Sequence, residues 1–325
     1  MLGGLARRAA LVEKLRGEGP VFVVDSGDLF FSGPPVPPAT ELEKAKLIGR
    51  SYRRMGAAAV NVGNLDLLQG LDFLHRESAS GLPLISANLL DGTNKSPLFP
   101  PFVIREVSGT RIAFFGLLFP GFKGEIGAAI RKATEEKILV KDPVETAKEV
   151  VGGLSGKADL VILLSNLGLQ MDNALAKSVP GIHFILGGRE GRAMLQPNQE
   201  GMTYIVQSGA KGMYLGRLKI TVQSPVSPFQ DRGMAPRIQE QLRILDLRLS
   251  SLQKAKEKQP NPDLDRLIQS INQQKTHLQE ERRRLESESS TTSSSFLWTL
   301  EPIERAVPEE KEIQGWIREA GIEKD

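Results

Sequence analysis

The feature that most constrains the fold of this 325-residue chain is a regular alternation of short apolar runs and amphipathic segments over residues 1–222. Segments with helical spacing lie at 41–55, 143–154 and 173–177. Continuous apolar strands that alternate with amphipathic helices are typical of an α/β domain whose sheets are covered on both faces. The strand-like runs lie at 21–24, 59–62, 84–87, 102–106, 111–117, 160–164, 183–186, 204–207 and 215–222.

The region from 226 to 290 has a different pattern. Its apolar residues recur at alternating spacings of four and three, which is the a/d pattern of a coiled coil. A break follows in which Asn261 is well placed as a helix cap and Pro262 as the first helical residue. We therefore predict an antiparallel helical hairpin with arms of about 35 Å. Its two seams are Ile238, Leu242, Leu245, Leu249 and Leu252, then Leu264, Leu267, Ile271, Gln274, Leu278 and Leu285.

The last part of the chain begins with a Ser/Thr-rich link at 287–295. A probable strand follows at 296–300, and then an amphipathic helix around 309–320 whose apolar residues need a surface to cover. We therefore divide the chain into an α/β domain at 1–225, a helical hairpin at 226–290, and a strand and helix at 291–325 that dock back on the α/β domain.

Composition excludes several classes of function. The chain has 42 basic and 39 acidic residues and no basic stretch interleaved with aromatics, so we expect no nucleic-acid partner. It has no cysteine, which excludes disulfides, thiolate zinc sites and cysteine nucleophiles. No apolar run reaches about 18 residues, so we expect no membrane span. The first residues have no apolar core of a signal peptide, and the compartment is unknown from composition.

Several predicted strands run into polar or glycine-rich turns. In an open α/β layer, the carboxyl ends of the strands form the edge where ligands and metals bind. The sequence therefore predicts a site at this edge. The turns are 25–28 (Asp-Ser-Gly-Asp), 63–66 (Gly-Asn-Leu-Asp), 165–168 (Ser-Asn-Leu-Gly) and 187–191 (Gly-Gly-Arg-Glu-Gly).

In order and spacing, these turns resemble those of the metallophosphoesterase domain of the 5'-nucleotidase/UDP-sugar hydrolase family. Segments 3–8, 82–89 and 207–216 also match stretches typical of that family. The resemblance covers about residues 3–222, with a weaker similarity at 296–317. It implies a calcineurin-like, layered αββα sandwich, to which the antiparallel coiled-coil hairpin is appended.

The resemblance also implies where metals would bind. The family uses two divalent cations such as Mn²⁺ or Zn²⁺, which polarise the phosphate and activate a water molecule. Asp28 matches its bridging carboxylate and Asn64 its amide ligand, so these two residues are remnant metal ligands. The chain begins after the position of the family's first motif, Asp-x-His. Elsewhere, Leu65 occupies the catalytic histidine position, Leu68 that of its orienting Asp, and Asn166, Arg189 and Gly191 the positions of further histidines.

These substitutions predict a chain with no catalytic residue and no metal cofactor. One carboxylate and neutral amides cannot offset about four positive charges, and the Arg189 guanidinium cannot act as a ligand. Asp28 and Asn64 could hold one weak cation or serve as hydrogen-bonding struts, and Arg189 could form an ion pair with Asp28. The three histidines fall at none of the ligand positions: His75, His183 and His277.

We therefore predict a degenerate, non-catalytic 5'-nucleotidase-like scaffold with a binding or assembly role through the hairpin. The alternative is an active phosphoesterase for nucleotides or related phosphoesters, whose site is completed by a missing N-terminal segment. A third possibility is a module of a larger membrane-edge or redox assembly in the periplasm, the compartment that the resemblance alone suggests. The pattern leaves open whether the hairpin pairs only with itself, with a protein partner or with a second copy of the chain.

Overall fold

The structure is a computed structural model that describes residues 4–32, 39–223, 226, 228–259, 261–288 and 293–322, without the side chains of 286 and 288. The helices are α1 (Leu5–Arg16), α2 (Ala39–Arg54), α3 (Gly70–Ala79), α4 (Gly124–Ala133), α5 (Pro143–Leu154), α6 (Leu169–Ser178), α7 (Met234–Lys258), α8 (Pro262–Glu288) and α9 (Lys311–Glu319), with a 3-10 turn at Leu65–Gln69.

The strands before residue 200 are β1 (Val23–Asp25), β2 (Ala57–Asn61), β3 (Leu84–Ile85), β4 (Leu89–Asp91), β5 (Phe102–Val107), β6 (Thr110–Leu118), β7 (Ile138–Val140), β8 (Leu160–Asn166) and β9 (Phe184–Gly187). The later strands are β10 (Asn198–Glu200), β11 (Thr203–Gln207), β12 (Tyr214–Thr221), β13 (Gln230–Asp231) and β14 (Ser295–Pro302).

Two sheets form the centre of the α/β unit. One is parallel, in the order β1–β2–β3, and the other has six strands in the order β10–β11–β9–β8–β6–β5. In the larger sheet β6, β8, β9 and β11 are parallel, while the edge strands β5 and β10 are antiparallel to their neighbours. Strands β4 with β7, and β12–β14–β13, form smaller sheets.

Burial of β6 and β8 shows how the layers stack. All seven residues of β8 are buried, as expected for a strand covered on both faces. Successive residues of β6 point to opposite faces, so Phe115 and Leu117 pack in a core with α5 and α6, whereas Leu118 packs in a second core with α1, α2 and α3. The Asn61 amide bridges the two sheets, because it donates to Ser26 O at 3.1 Å and Leu117 O at 2.9 Å.

Helix α9 covers α1 and α2 within the α/β unit. The Glu310 amide donates to Ala6 O at 3.0 Å, and Arg7 pairs with Glu309 at 2.8 Å. Ile313 is fully buried, and the Arg50 guanidinium lies 3.6 Å from the centre of the Trp316 ring. The apolar residues of α9, which the sequence predicts to need a surface to cover, therefore pack in the core beside α1.

The chain divides into two compact units, Met1–Arg217 with Thr299–Asp325, and Leu218–Trp298. The second unit contains α7 and α8, which pack side by side. Three contacts show that they are antiparallel: Gln239 with Arg282, Asp246 with Lys275, and Lys256 with Asp265. Asn261 Oδ1 accepts from the Asp263 amide at 2.9 Å and so caps α8 as predicted. The buried apolar residues of the pair are Ile238, Leu242, Leu249 and Ile271.

The predicted α/β architecture and helical hairpin are confirmed. The prediction missed β4, β7, β10, β13 and α4, and it began α6 four residues late. Of the helices in the described part of the chain, none has the length and apolarity needed to cross a membrane.

Candidate functional site

The site is formed where β1, β2, β8 and β9 end. Asp28 follows β1, Asn64 follows β2, Asn166 is the last residue of β8, and Arg189 lies two residues beyond β9. These four residues, which we call the strand-end network, are joined by hydrogen bonds across both sheets. The edge predicted from the sequence therefore exists, and it brings together both remnant ligands and two of the substituted positions.

Both carboxylate oxygens of Asp28 accept hydrogen bonds from the protein. Oδ1 accepts from the Leu65 amide at 2.7 Å, and Oδ2 accepts from Asn166 Nδ2 at 3.0 Å. The backbone of Asp28 has φ 58°, in the left-handed region, and a Cβ on Gly63 would lie 2.2 Å from its amide nitrogen. Glycine is therefore required at position 63 for the ends of β1 and β2 to come this close.

Asn64 is the centre of the strand-end network. Its backbone amide donates to Asn166 Oδ1 at 3.3 Å, and its side-chain Nδ2 donates to the backbone carbonyl of Phe119 at 3.1 Å. Its Oδ1, the atom that would face a metal, accepts from Arg189 Nη1 at 3.1 Å. The guanidinium carbon of Arg189 lies 4.3 Å from the centre of the Phe119 ring, a cation–π contact that fixes its position.

The predicted ion pair between Arg189 and Asp28 does not form as a direct contact in the described part of the chain, because Arg189 donates to Asn64 instead. Arg189 acts on Asp28 through its charge. Burial raises the pKa of Asp28, while the bonds from Asn166 and Leu65 and the Arg189 charge oppose that rise.

Asp66 is the most heavily bonded carboxylate of the site, and the sequence analysis assigned it no role. It is 1% exposed and accepts three backbone amides: Asp28 at 2.9 Å, Phe30 at 2.9 Å and Gly63 at 2.8 Å. Burial, with the nearby charge of Asp28, raises its pKa to about 8. Asp66 therefore holds the turns after β1 and β2 in register as a strut.

A second hydrogen-bonded chain reaches the site from α1. Arg8 Nη1 donates to the Tyr52 hydroxyl at 2.7 Å, and that hydroxyl donates to Asp25 Oδ2 at 2.7 Å. Asp25 Oδ1 accepts from the Gly27 amide at 3.0 Å, which caps the turn. Burial raises the pKa values of Asp25 and Tyr52. This chain ties the Asp25–Asp28 turn to helices α1 and α2.

The remaining substituted positions carry no polar side chain. Leu65 is half-buried and Leu68 is buried, and both pack against the core beside α3 and α4. Gly191 has φ 61°, and a Cβ there would lie 2.8 Å from Ala210 Cβ. This backbone has no room for a histidine without a local shift.

None of the three histidines is among the residues of the strand-end network. His75 stacks on Phe99 with ring centres 5.3 Å apart, and His277 is exposed on α8. His183 Nδ1 accepts from the Val161 amide at 3.0 Å, and burial lowers its pKa. Nδ1 is thus the unprotonated nitrogen of a neutral ring.

No protein-family model matches the chain, but curated proteins do. A 2',3'-cyclic-nucleotide 2'-phosphodiesterase/3'-nucleotidase from Salmonella typhimurium is 29% identical over 210 residues, which cover 57% of this chain and 32% of that protein. A 5'-nucleotidase from Vibrio cholerae is 27% identical over 256 residues, which cover 66% of this chain and 44% of that protein. The uncharacterised metallophosphoesterase YunD from Bacillus subtilis is 31% identical over 166 residues, which cover 48% of this chain and 34% of that protein. The chain spans less than half the length of these relatives.

Solved structures give the same result. A 5'-nucleotidase precursor from Thermus thermophilus superimposes with a TM-score of 0.67 at 18% identity, over 98% of this chain and 53% of that chain. The calcineurin-like phosphoesterase YfkN from Bacillus subtilis gives 0.65 at 18% identity, over 98% and 88%. The sulfate thiohydrolase SoxB from Thermus thermophilus gives 0.67 at 17% identity, over 98% and 46%.

The chain has the fold of the 5'-nucleotidase-type, calcineurin-like phosphoesterases. The family resemblance and the layered fold class predicted from the sequence are confirmed.

Phosphoesterases of this kind are metal-dependent, and the donor set of this chain fits two divalent cations poorly. No group of three or more His, Cys, Asp or Glu residues suited to a metal occurs in the ranges that the structure describes. The strand-end network offers one carboxylate, already bonded twice, and an amide oxygen bonded to a guanidinium. Arg189 also brings a positive charge to the position where a cation would add more.

Proposed function

We propose that this chain is a phosphoesterase-fold scaffold in which a hydrogen-bond network occupies the metal positions, and that it acts by binding or assembly instead of hydrolysis. The observation that carries the proposal is the contact between Arg189 Nη1 and Asn64 Oδ1 at 3.1 Å. It directs a permanent cation at the one amide oxygen that a metal would need. A metal at Asp28 would also displace the Leu65 amide or the Asn166 amide.

An active phosphoesterase is the second candidate, and the names of the curated relatives favour it. Several are called nucleotidases or nucleotide phosphodiesterases. On this reading the substrate would be a nucleotide or a related phosphoester, and ligands from outside this sequence would complete a two-metal site. The strand-end network would then have to open, because Asp28 and Asn64 would each exchange a protein donor for a cation.

Metal analysis combined with a phosphoesterase assay separates the two candidates. The recombinant chain, and the protein purified from its own organism, would be incubated with Mn²⁺ or Zn²⁺ and desalted. Their bound metal and their turnover of a generic phosphoester would then be measured. We expect less than stoichiometric metal and no turnover above the Asp28→Asn control. Loading with two metals, together with turnover that Asp28→Asn abolishes, would contradict the scaffold proposal.

We further propose that the hairpin of α7 and α8 is the assembly element. Two large apolar side chains of α7 lie outside its seam, since Ile244 is 52% exposed and Leu247 is 58% exposed. The seam itself has a thin core, because its other leucines are only half-buried. A two-helix pair with so little buried apolar area gains stability from a further surface.

Mass measurement by light scattering tests the assembly role. The intact chain is compared with a chain in which residues 232–288 are replaced by a short Gly/Ser linker, and with the double variant Ile244→Glu/Leu247→Glu. We expect a concentration-dependent mass for the intact chain and for a control variant with altered charge on α7, and a constant monomeric mass for the linker chain and the Ile244→Glu/Leu247→Glu variant. Arg243→Glu/Arg248→Glu is the matched control for charge change on the same helix. A monomeric mass for every form, in the presence of the protein's own cell extract, would count against the hairpin as an assembly element.

A further inference from the structure

The two edges of the six-stranded sheet differ in how they are protected. The edge strand β10 is only three residues long and directly follows Pro197. The Met194 amide donates to Gln207 O, whereas β10 begins to pair with β11 only at Asn198, so the chain bulges between these two points. A short strand, a proline and a bulge all keep a sheet edge from pairing with another chain.

The opposite edge strand, β5, has none of these features. Its six residues pair one for one with β6, without a shift of register, and they include no proline. Glu106 is its only exposed residue, and its other charged side chain, Arg105, donates to Ala58 O at 2.9 Å on the face towards β2. In the described ranges, no strand other than β6 pairs with β5. Such an edge is open to the addition of a strand.

Three residues of β5 direct their backbone groups away from the sheet. In an antiparallel pair, residues bonded to the neighbouring strand alternate with residues whose amide and carbonyl point away from it. Arg111 of β6 points away from β5, because it exchanges backbone bonds of 2.8 Å with Asp159, the residue before β8. Glu106 faces Arg111 across the pair, so its amide and carbonyl point outward. By the same alternation, those of Ile104 and Phe102 do too.

A groove lies beside the first of these outward residues. Its volume is about 340 Å³, which is within the range of small ligand-binding clefts. Buried Ala87, Leu90 and Val150 form part of its lining together with Phe102. Phe102 lies on the face of β5 that packs against α5. On an added strand, the side chain directly opposite Phe102 would share this face and enter the groove.

The groove carries more positive than negative charge. Lys95 and Lys141 both line it, and the one carboxylate of the lining is Glu149, which pairs with Lys141 at 2.9 Å. The Asp91 carboxylate lies outside the lining and accepts two amides of its own turn. An acidic side chain at the start of β5 would therefore be attracted.

The other end of the β5 edge carries the opposite charge. Glu106 is exposed there, one residue before the end of the strand. Arg111 faces it across the pair but forms its ion pair with Asp159 at 2.8 Å. Glu106 is therefore placed to attract a basic side chain of an added strand. Charges of opposite sign at the two ends of the edge select one direction of the incoming chain.

We propose that the β5 edge binds an extended segment of a partner protein as an added antiparallel strand, with a basic side chain opposite Glu106 and an acidic side chain beside Lys95 and Lys141. The antiparallel direction is favoured because its pairing is the more stable per residue and tolerates solvent on one face. Main-chain bonds to Ile104 and its outward neighbours hold the segment, and an apolar side chain opposite Phe102 fills the groove. This surface belongs to the α/β unit, so the inference does not depend on the role of the hairpin.

Binding of a synthetic peptide to the intact chain, measured by calorimetry, tests the proposal. The probe is the acetylated and amidated peptide Lys-Thr-Val-Thr-Leu-Thr-Asp. In antiparallel register its Lys faces Glu106, its Val faces Ile104 and its Leu faces Phe102. We expect saturable binding, and binding at least about tenfold weaker when Pro replaces Val, because Pro cannot donate at the central pair.

Three results with peptides would overturn the proposal. The first is no binding of the probe, and the second is equal binding of the probe and its proline form. The third is tighter binding of the peptide in which the terminal Lys and Asp are exchanged, since the charges of the edge would then not set the direction.

Hydrogen exchange locates the bound strand. The amides of Ile104 and Glu106 point outward, so we expect them to exchange fast in the free chain and slowly in the complex. The amides of Val103 and Arg105 are bonded to β6 and should be protected in both states. Unchanged exchange at Ile104 and Glu106 in the presence of saturating peptide would show that it binds elsewhere, which contradicts strand addition.

Variants of the chain test the edge and its charges separately. Glu106→Pro removes one outward amide without breaking a bond to β6, at an edge position that tolerates proline, and should weaken binding about tenfold. Glu106→Gln keeps the amide and should weaken binding only about threefold, as should Lys95→Glu. Lys148→Glu, an exposed change on α5 outside the groove, is the matched control.

Thermal unfolding verifies that each variant is folded before its binding is compared. Unchanged binding by folded Glu106→Pro would overturn the pairing of the edge. An equal loss from Lys95→Glu and Lys148→Glu would overturn the part that the groove charges play.

Discussion

In the α/β unit ionisable side chains lie deep in the interior, whereas in the helical hairpin the buried residues are leucine and isoleucine and the ionisable side chains lie outside. Asp66 and Asp172 of the first unit are at most 1% exposed, and both carry raised pKa values. In the hairpin, the buried positions are Ile238, Leu242, Leu249 and Ile271.

The contrast teaches where each unit is vulnerable. Removing a buried carboxylate leaves donors without acceptors, and that cost is high in a dry interior. Removing an apolar side chain from a thin core loses transfer energy and leaves a cavity that can partly collapse or fill with water. The loss of stability caused by a substitution should therefore differ between the two units in size and in its dependence on pH and salt.

The largest effect is expected for Asp66→Ala, which would leave the amides of Asp28, Phe30 and Gly63 without an acceptor. We expect a loss of about 4 kcal/mol in the free energy of unfolding, measured by urea denaturation. Asp91→Ala is the control, because Asp91 also accepts two backbone amides but is exposed to water. Equal effects of the two substitutions would remove the distinction between a buried strut and a surface turn.

Ile271→Ala should have the next largest effect, since this is the most buried side chain of the hairpin at 2% exposure. We expect the free energy of unfolding to fall by about 2–3 kcal/mol. Unfolding would be monitored through the helical signal in circular dichroism. Ile244→Ala, at 52% exposure, is the matched substitution on the outer face. A substantial loss from Ile244→Ala in the isolated chain would show that its outer face is covered, which favours association through α7.

A pH dependence should mark the α/β unit. Because the folded pKa of Asp172 is about 7, against an unfolded value of 3.8, the folded chain holds this proton more tightly. Its contribution to stability is therefore largest near pH 4 and is lost as pH rises through about 7. Relative to Asp172→Asn, we expect the wild-type chain to lose about 2–4 kcal/mol between pH 4 and pH 8. Parallel curves for the two proteins would exclude a raised pKa.

The smallest effect is expected for Arg54→Ala at the surface. Arg54 contacts Glu13, Glu310 and Glu312 at 3.5, 3.2 and 2.6 Å, but it remains well exposed. We expect a loss below about 1 kcal/mol that shrinks in 1 M NaCl. A loss of stability that does not change with salt would indicate that Arg54 stabilises the protein by packing its side chain on α9 and not through its ion pairs.

The sequence was most informative where a pattern extends over many residues. The apolar runs of β6 and β8 predicted strands covered on both faces, and the leucine spacings with Asn261 and Pro262 predicted two capped, antiparallel helices. Short elements such as β4 and β7, three residues each, leave too few residues to show a period.

Within the site, the sequence identified which residues meet but not how they bond. The family resemblance could align the four residues of the strand-end network. It could not show that Arg189 donates to Asn64 instead of Asp28, because the position of Arg189 depends on the Phe119 ring, which is distant in sequence. The one hint of a role for Asp66 in the sequence is that an acidic residue stands directly after the Gly-Asn turn. Asp172 looks like an ordinary acid in the first turn of a helix, so nothing in the sequence marked its burial.

The contact between α1 and α9 has a consequence for folding during synthesis. Helix α1 precedes α9 by almost 300 residues, so it leaves the ribosome well before α9, which covers it and whose preceding Glu310 amide donates to the Ala6 carbonyl. The two helices of the hairpin are adjacent in sequence and pack against each other, so they can pair as soon as α8 is made. The hairpin can therefore form before α9 is made, whereas the apolar face of α1 is expected to stay uncovered until α9 joins it.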